Sequence, residues 1–378
     1  MSSLALWIAA ALVVAVASWW FLRPVGRGPA AQTTRPPRVT PPRSVAPSAR
    51  TASPTPAPAA APPEPPLPPE LASFRWRAET ELDAEHRASM VAAVRGIPRP
   101  PRSMQQLLSP EFVATAGSAE LSDLVMGEPL IAARVISTVN APFYGLHRPV
   151  TNIGQAVTFL GMNSVRGICL QYMLAEAFKP TLANTQKAFD IIWKASAIAS
   201  ELAVRLGKAL NLPEQGSLST QVVLSFVGQL ATASLIPPSE LERWLASGRL
   251  ERARLEQDRL GLNASEIGAL LMKTWELPAS LVDEVSALGR QLVTPYLKTD
   301  PVRAPRLALG YLCARLGERL ALGQMRSLEG YEVGQDQGAD THHLRTSLSH
   351  PALARLEQAL ASPEVQTAVL QMLDERRG

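Results

Sequence analysis

The sequence predicts an all-α protein built as an N-terminal transmembrane helix, a disordered Pro-rich linker and a multi-helix domain. Three observations lead there. Residues 4–22 form an apolar run without a charged side chain. Proline, used 33 times in the chain, crowds into residues 24–69. From residue 71 onward the chain is rich in leucine and alanine, poor in aromatics, and patterned at helical spacing. No segment shows the alternation of a half-buried strand, so a bundle-like helical fold is the economical reading.

The run LALWIAAALVVAVASWWFL at 4–22 has the roughly 20 residues a bilayer-crossing helix requires. Trp19, Trp20 and Phe21 stand at its C-terminal edge, where aromatic rings favour the headgroup layer. A cleaved signal peptide is the rival reading, because Ala15-Val16-Ala17 resembles a small-residue cleavage site. The start carries no Lys or Arg, however, and the apolar run continues beyond that point, which favours a retained anchor over residues 1–23. Positive charge follows the helix at Arg23 and Arg27. The expected orientation is therefore N-terminus outside and C-terminal domain cytoplasmic, at the inner membrane.

Residues 24–70 are mainly Pro, Ala, Arg, Ser and Thr and cannot bury enough apolar surface to offset their ordering entropy. They read as a semi-rigid tether, with an SH3-type ligand or contact between arginines and anionic lipid as sharper alternatives. Lipid contact is expected at Arg23 and Arg27 and weakens with distance from the membrane. Six arginines precede the first acidic residue, Glu64. The chain's net charge of +4 therefore hides a net acidic remainder, and no nucleic-acid partner is expected.

Residues 71–96 read as a charged connecting helix, with 74–95 as one amphipathic element ending near Gly96 and broken by IPRPP at 97–101. Pro129 opens a helix whose Ile131, Val135 and Val139 line one face. Thr151 is the expected cap of the next helix, where Ile153, Ala156, Val157 and Leu160 form the apolar stripe and Gly161 the stop. Asn163 is the expected cap after that, with Val165, Ile168, Cys169 and Tyr172 inward. Ser239 with Glu242, and Asn263 with Glu266, have capping-box spacing. The apolar stretch 222–235 is too short and too interrupted for a second span and fits a central core helix. Cys169 and Cys313 read as free buried thiols, and Trp193 and Trp275 as core residues.

The stretches IPRPPRSMQQLLS, ELSDLVMGEPLIAARVISTVNAPFYG and RPVTNIGQAVTFLGMNSVRGICL, in that order, resemble the first half of an HDOD (HD-related output domain) protein. The specific residues are Asn140, Phe143, Tyr144, Gly145, Ile153, Ala156, Leu160, Gly161, Val165 and Arg166. GLNASEIGALLMKTWELP at 261–278 resembles the family's later helix. The resemblance covers about residues 92–325, giving an HDOD-like domain over 97–325, followed by a loop and C-terminal helices over 326–378. It implies a regulatory or scaffolding output module of bacterial signalling, related to HD-type metal phosphohydrolases.

An HD site needs imidazoles and carboxylates converging on cations. At the positions the resemblance assigns to them, this chain carries Ala195, Gly228, Gln229 and Ala264, and it has no histidine between His147 and His342. The expectation is a non-enzyme without metal or cofactor that contacts cytoplasmic signalling proteins. The alternative is a divergent metal-dependent phosphodiesterase. His342, His343 and His350 lie in the polar segment 326–350, which reads as a solvated, flexible loop before helices at 351–361 and 363–376. The turn at Asn140, Phe143 and Tyr144, with Arg166, is the candidate partner surface, because loops held by rigid helices commonly carry function.

Overall fold

The computed structural model describes residues 66–374 except 142, 143, 147, 180, 181 and 214. The expected anchor at 4–22, Arg23, Arg27, the linker up to 65 and Phe143 lie outside the described residues. Every regular element among the described residues is helical.

After a helical turn at Pro69–Ala72 come α1 (Ala84–Arg95), α2 (Arg102–Leu107), α3 (Pro110–Thr115), α4 (Ser118–Met126), α5 (Pro129–Val139), α6 (Ile153–Leu160) and α7 (Met162–Ala177). The 27-residue α8 (Ala183–Ala209) leads to α9 (Gln215–Ser225), α10 (Val227–Leu235), α11 (Leu241–Ala246), α12 (Arg249–Leu260), α13 (Ala264–Thr274) and α14 (Ala279–Arg290). The chain closes with α15 (Ala304–Ala321), α16 (His342–Ser347), α17 (Leu356–Leu360) and α18 (Pro363–Asp374).

Helices α8 and α15 form the spine, with α9 and α10 laid across them and α13 and α14 beyond. The spine packs closely because Gly317 has no side chain: a Cβ there would lie 2.4 Å from the Ala195 carbonyl oxygen. The apolar stretch 222–235 is the core of the domain, as its composition predicts, but it is divided at Phe226 between α9 and α10. Residues Gly216–Leu235 match a membrane span in length and composition, yet 83% of that window is buried inside the fold. Cys169 and Cys313 are free and buried, and burial pushes the Cys169 thiol up to about 12. Trp275 is buried, whereas Trp193 only flanks the core.

Several local expectations are corrected. Residues 74–95 do not form one helix. α1 begins at Ala84 because Asp83 caps it, accepting from the His86 amide at 2.9 Å. Residues before it run as a strap across α12 and α13. The Arg77 amide donates to Gln257 Oε1 at 2.9 Å, Gln257 Nε2 donates to the Arg75 carbonyl at 2.9 Å, and Trp76 Nε1 donates to Glu266 Oε1 at 2.9 Å. Partners distant in sequence thus satisfy backbone groups that a helix would have satisfied locally.

The cap of α6 is Asn152 rather than Thr151, with the Asn152 side chain accepting from the Gln155 amide at 2.9 Å. Asn163 lies inside α7, which Gly161 enters at φ 82°. Asn263 caps α13 as expected, accepting from the Ser265 and Glu266 amides, but Glu266 turns away to Trp76 and Arg290. Ser239 and Glu242 form no box, since α11 has no side-chain cap.

The segment 326–350 is not a solvated loop. Leu328, Val333 and Leu344 enter the core, and His342 and His343 are buried. The cause is Arg315, which α15 carries into the interior. It binds Asp336 at 2.8 Å and Asp340 at 2.6 Å, and so draws the segment down. The expected helix 351–361 is split into a 3₁₀ turn at Pro351–Leu353 and α17.

The His342 and His343 rings meet edge to face with centroids 4.9 Å apart. Burial, with His342 beside it, pushes the His343 imidazole down to about 4 from 6.5. The folded state then binds fewer protons than the unfolded chain between those values. His343 therefore contributes its full stability above pH 6.5 and loses it as pH falls toward 4, a contribution on the order of 2–3 kcal/mol. Denaturant titrations of wild type and His343→Leu between pH 4 and 7.5 check this: the wild type is expected to lose more stability on acidification than the variant.

Candidate functional site: a buried charge cluster around Glu318

The four positions that the resemblance marks as altered HD ligands do not all meet. Gly228, Gln229 and Ala264 gather where α10 crosses α13. Ala195 lies on α8 against Gly317, beside Glu318, and is buried. At the crossing, a Cβ on Gly228 would lie 1.9 Å from the Ala264 carbonyl oxygen, and a Cβ on Gly268 2.9 Å from the Gly228 Cα. Glycine at 228 is therefore a packing requirement. A ligating side chain there would force the two helices apart.

Gln229 faces the interior and donates from Nε2 to Glu318 Oε1 at 2.6 Å. Glu318 is the centre of the cluster. Arg249 Nη2 reaches its Oε1 at 2.5 Å and Arg249 Nε its Oε2 at 3.1 Å, while Arg252 Nη2 reaches Oε2 at 2.5 Å. Only 7% of the Glu318 side chain is exposed. Burial alone would raise its pKa, but the two guanidiniums prevail and hold it down to about 2. Arg249 stacks over the Tyr311 ring at 4.8 Å and Arg252 over Trp244 at 5.5 Å.

Glu256 completes the cluster one turn beyond Arg252. It accepts from Trp244 Nε1 at 2.8 Å and from the Ala264 amide at 2.6 Å. Burial pushes its carboxyl up to about 7 against the pull of Arg252 and these donors. The cavity here measures about 80 Å³ and is walled by Trp76, Gln229, Arg249, Glu256 and Tyr311 among others.

A divalent cation does not fit this set. Glu318 spends both oxygens on guanidiniums, and two cationic side chains stand where a metal's charge would be placed. Among the described residues no three of His, Cys, Asp and Glu are grouped to hold a metal ion. The arrangement can fix α12 against α15 and compensate the buried Glu318 charge.

The candidate partner surface is divided. Asn140 is a clamp: Nδ2 donates to the Val150 carbonyl at 2.7 Å and the Ile136 carbonyl at 3.0 Å, and Oδ1 accepts from the Val150 amide at 2.7 Å. Tyr144 is part-exposed and lines a cavity of about 460 Å³ with Thr138, Tyr172 and Trp193. Arg166 is corrected outright: it is 2% exposed and no part of a protein-facing surface.

Arg249, Arg252, Glu256 and Glu318 went unrecognised in the sequence. The spacing of 249, 252 and 256 places them on one helical face, and Glu318 is an acid within an otherwise largely apolar helix. Those signals were present, but nothing in the sequence says that the two elements meet.

With this geometry in place, the chain belongs to the HDOD domain family, whose match spans residues 97–289. It is similar to a candidate phosphohydrolase of Shewanella amazonensis SB2B, with TM-score 0.51 and 18% identity over 76% of this chain and 98% of that one. It is also similar to an HDOD domain protein of unknown function from Geobacter sulfurreducens, with TM-score 0.50 and 18% identity over 77% of this chain and 99% of that one. At this identity the likeness is one of fold. No curated protein matches the chain.

Replacing Glu318 by Gln keeps the volume and removes the charge that both guanidiniums need. The expected cost at neutral pH is about 3–5 kcal/mol in chemical denaturation. Because the Glu318 pKa is depressed in the folded state, the gap between wild type and variant should stay full above pH 4.5 and close as pH falls toward 2. A gap that is unchanged across this window contradicts the assignment.

Proposed function

We propose that the chain is a membrane-tethered, non-catalytic regulatory or scaffold module of bacterial signal transduction, acting through contacts with cytoplasmic signalling proteins. The observation that carries this reading is the buried cluster beside the positions the resemblance marks as altered HD ligands, where Arg249 and Arg252 saturate Glu318. A hydrolase of HD type needs a free carboxylate, an imidazole set and an electrophilic cation at one point. Here the same space serves helix packing. The tether follows from the apolar run 4–22 and the arginines at 23 and 27, which favour the inner membrane with the domain on the cytoplasmic side.

Two measurements test this. Full-length protein in dodecyl maltoside is expected to hydrolyse bis(p-nitrophenyl) phosphate with added Mn²⁺ no faster than the detergent blank. Mn²⁺-dependent turnover that the purified protein carries through size exclusion overturns the non-catalytic reading in favour of a divergent phosphodiesterase. Protease added to intact spheroplasts is expected to leave a C-terminal tag uncut until the inner membrane is breached. Cleavage in intact spheroplasts places the domain on the other side and removes the cytoplasmic partners.

A further inference from the structure

The fold buries several arginines, and one of them stands apart. Arg249 and Arg252 share Glu318, and Arg315 holds Asp336 and Asp340. Arg166 on α7 is equally buried, at 2% exposure, yet among the described residues no carboxylate pairs with it. Its side chain makes one long contact, Nη2 to Asn163 Oδ1 at 3.5 Å, and its Nε is buried without a hydrogen-bond partner. Burial pulls its pKa down to about 10. A guanidinium taken out of water without a counter-charge is costly, and a bound anion would offset that cost.

The surroundings fit such a ligand. The guanidinium lies against Gly216 in the first turn of α9: a Cβ on Gly216 would be 2.4 Å from both Arg166 Nη2 and Asn163 Oδ1. Glycine at 216 is what lets the charge sit there. The first turn of an 11-residue helix also presents backbone N–H groups without intrahelical partners and the positive end of the helix dipole. Gly216 and Asn163 both line a cavity of about 480 Å³, within the size range of small-molecule sites.

Arg166 itself lies behind Gly216 and Asn163 rather than in the wall, whose apolar part is Leu108, Val113 and Leu281 and whose polar part includes Thr220, Arg306 and Gln221. Gln221 is 3% exposed, and its Oε1 has no hydrogen-bond partner. That oxygen can accept from a hydroxyl or N–H on a ligand's body. Glu284, the acid in the wall, is ion-paired to Arg303 at 3.0 Å and Arg306 at 3.3 Å, so it does not oppose an anion as a lone charge.

We propose that this cavity binds a small organic phosphate, its oxygens on Arg166 and the α9 first-turn amides and its apolar body against Leu108, Val113 and Leu281. A phosphate monoester has three free oxygens and can meet a guanidinium fork and helix N–H groups together, whereas a carboxylate has two. The site lies apart from the Glu318 cluster, so its existence is independent of whether the chain is catalytic. A ligand bridging α7, α9 and α14 would make the module a sensor, its surface responding to a metabolite.

The test uses full-length protein in dodecyl maltoside and phenyl phosphate as the probe, followed by calorimetry. The wild type is expected to bind phenyl phosphate saturably and roughly tenfold or more tightly than inorganic phosphate, with no binding of phenol. Arg166→Met is expected to lose at least about 30-fold in affinity. Leu281→Trp, made at a part-exposed wall position, is expected to lose phenyl phosphate while keeping inorganic phosphate. Absence of saturable binding by the wild type, or equal affinity in Arg166→Met, overturns the proposal. Where Arg166→Met does not yield folded protein, the Leu281→Trp chain decides, and unchanged phenyl phosphate affinity there overturns it. Dihexanoyl phosphatidate in place of the probe separates a lipid phosphate from a soluble one, and binding of the lipid alone overturns the small-molecule assignment.

Discussion

Glu318 is a single carboxylate on the most buried helix of the domain, and much of the architecture follows from the need to compensate it. A charge inside α15 is tolerable only with opposite charge and hydrogen bonds at close range. Arg249 and Arg252 supply both, which fixes α12 against α15. Gln229 adds a bond from α10, and Glu256, on the same helix as the two arginines, binds the start of α13 through the Ala264 amide. Four helices are thus held at one point by directional contacts, within a core whose apolar packing has little directional preference.

From this point the order extends outward. Gln257, next to Glu256, carries the N-terminal strap at Arg75 and Arg77, and Glu266 on α13 holds Trp76 and the Glu79 amide. On its other side α15 presents Arg315, which gathers Asp336 and Asp340 and brings the segment 326–350 into the core. The same helix therefore organises both ends of the described chain. The crossing of α10 and α13 over Gly228 and Gly268 is tight enough to leave no room for a side chain at either position.

The helical character of the domain was legible because it depends on local patterning. Pro129 at the start of α5, the stripe Ile131–Val135–Val139, Gly161 after α6 and Asn263 before α13 all act within a few residues of their partners. The misreadings share a different cause. Thr151 and Asn152 are both competent caps, and the choice depends on which backbone the turn clamped by Asn140 presents. Residues 74–83 have helix-compatible composition, but Gln257 and Glu266, nearly two hundred positions away, offer their polar groups better partners. Polar composition at 326–350 suggested solvent, whereas its acids answer an arginine on the spine.

The sequence by itself determined the helix-forming segments, the apolar faces, the family resemblance and the lack of histidine at the HD positions, since each is a property of residue type and short-range spacing. Only the tertiary structure decided what surrounds those positions. It placed Arg249, Arg252 and Glu318 together, made Gly228 a packing necessity and turned Arg166 from a surface candidate into a buried charge, without a carboxylate partner among the described residues, beside a cavity. The physical reason is that charge compensation and helix contact act through space. Their cost depends on which groups share a low-dielectric interior, and that is set by how distant segments fold against one another.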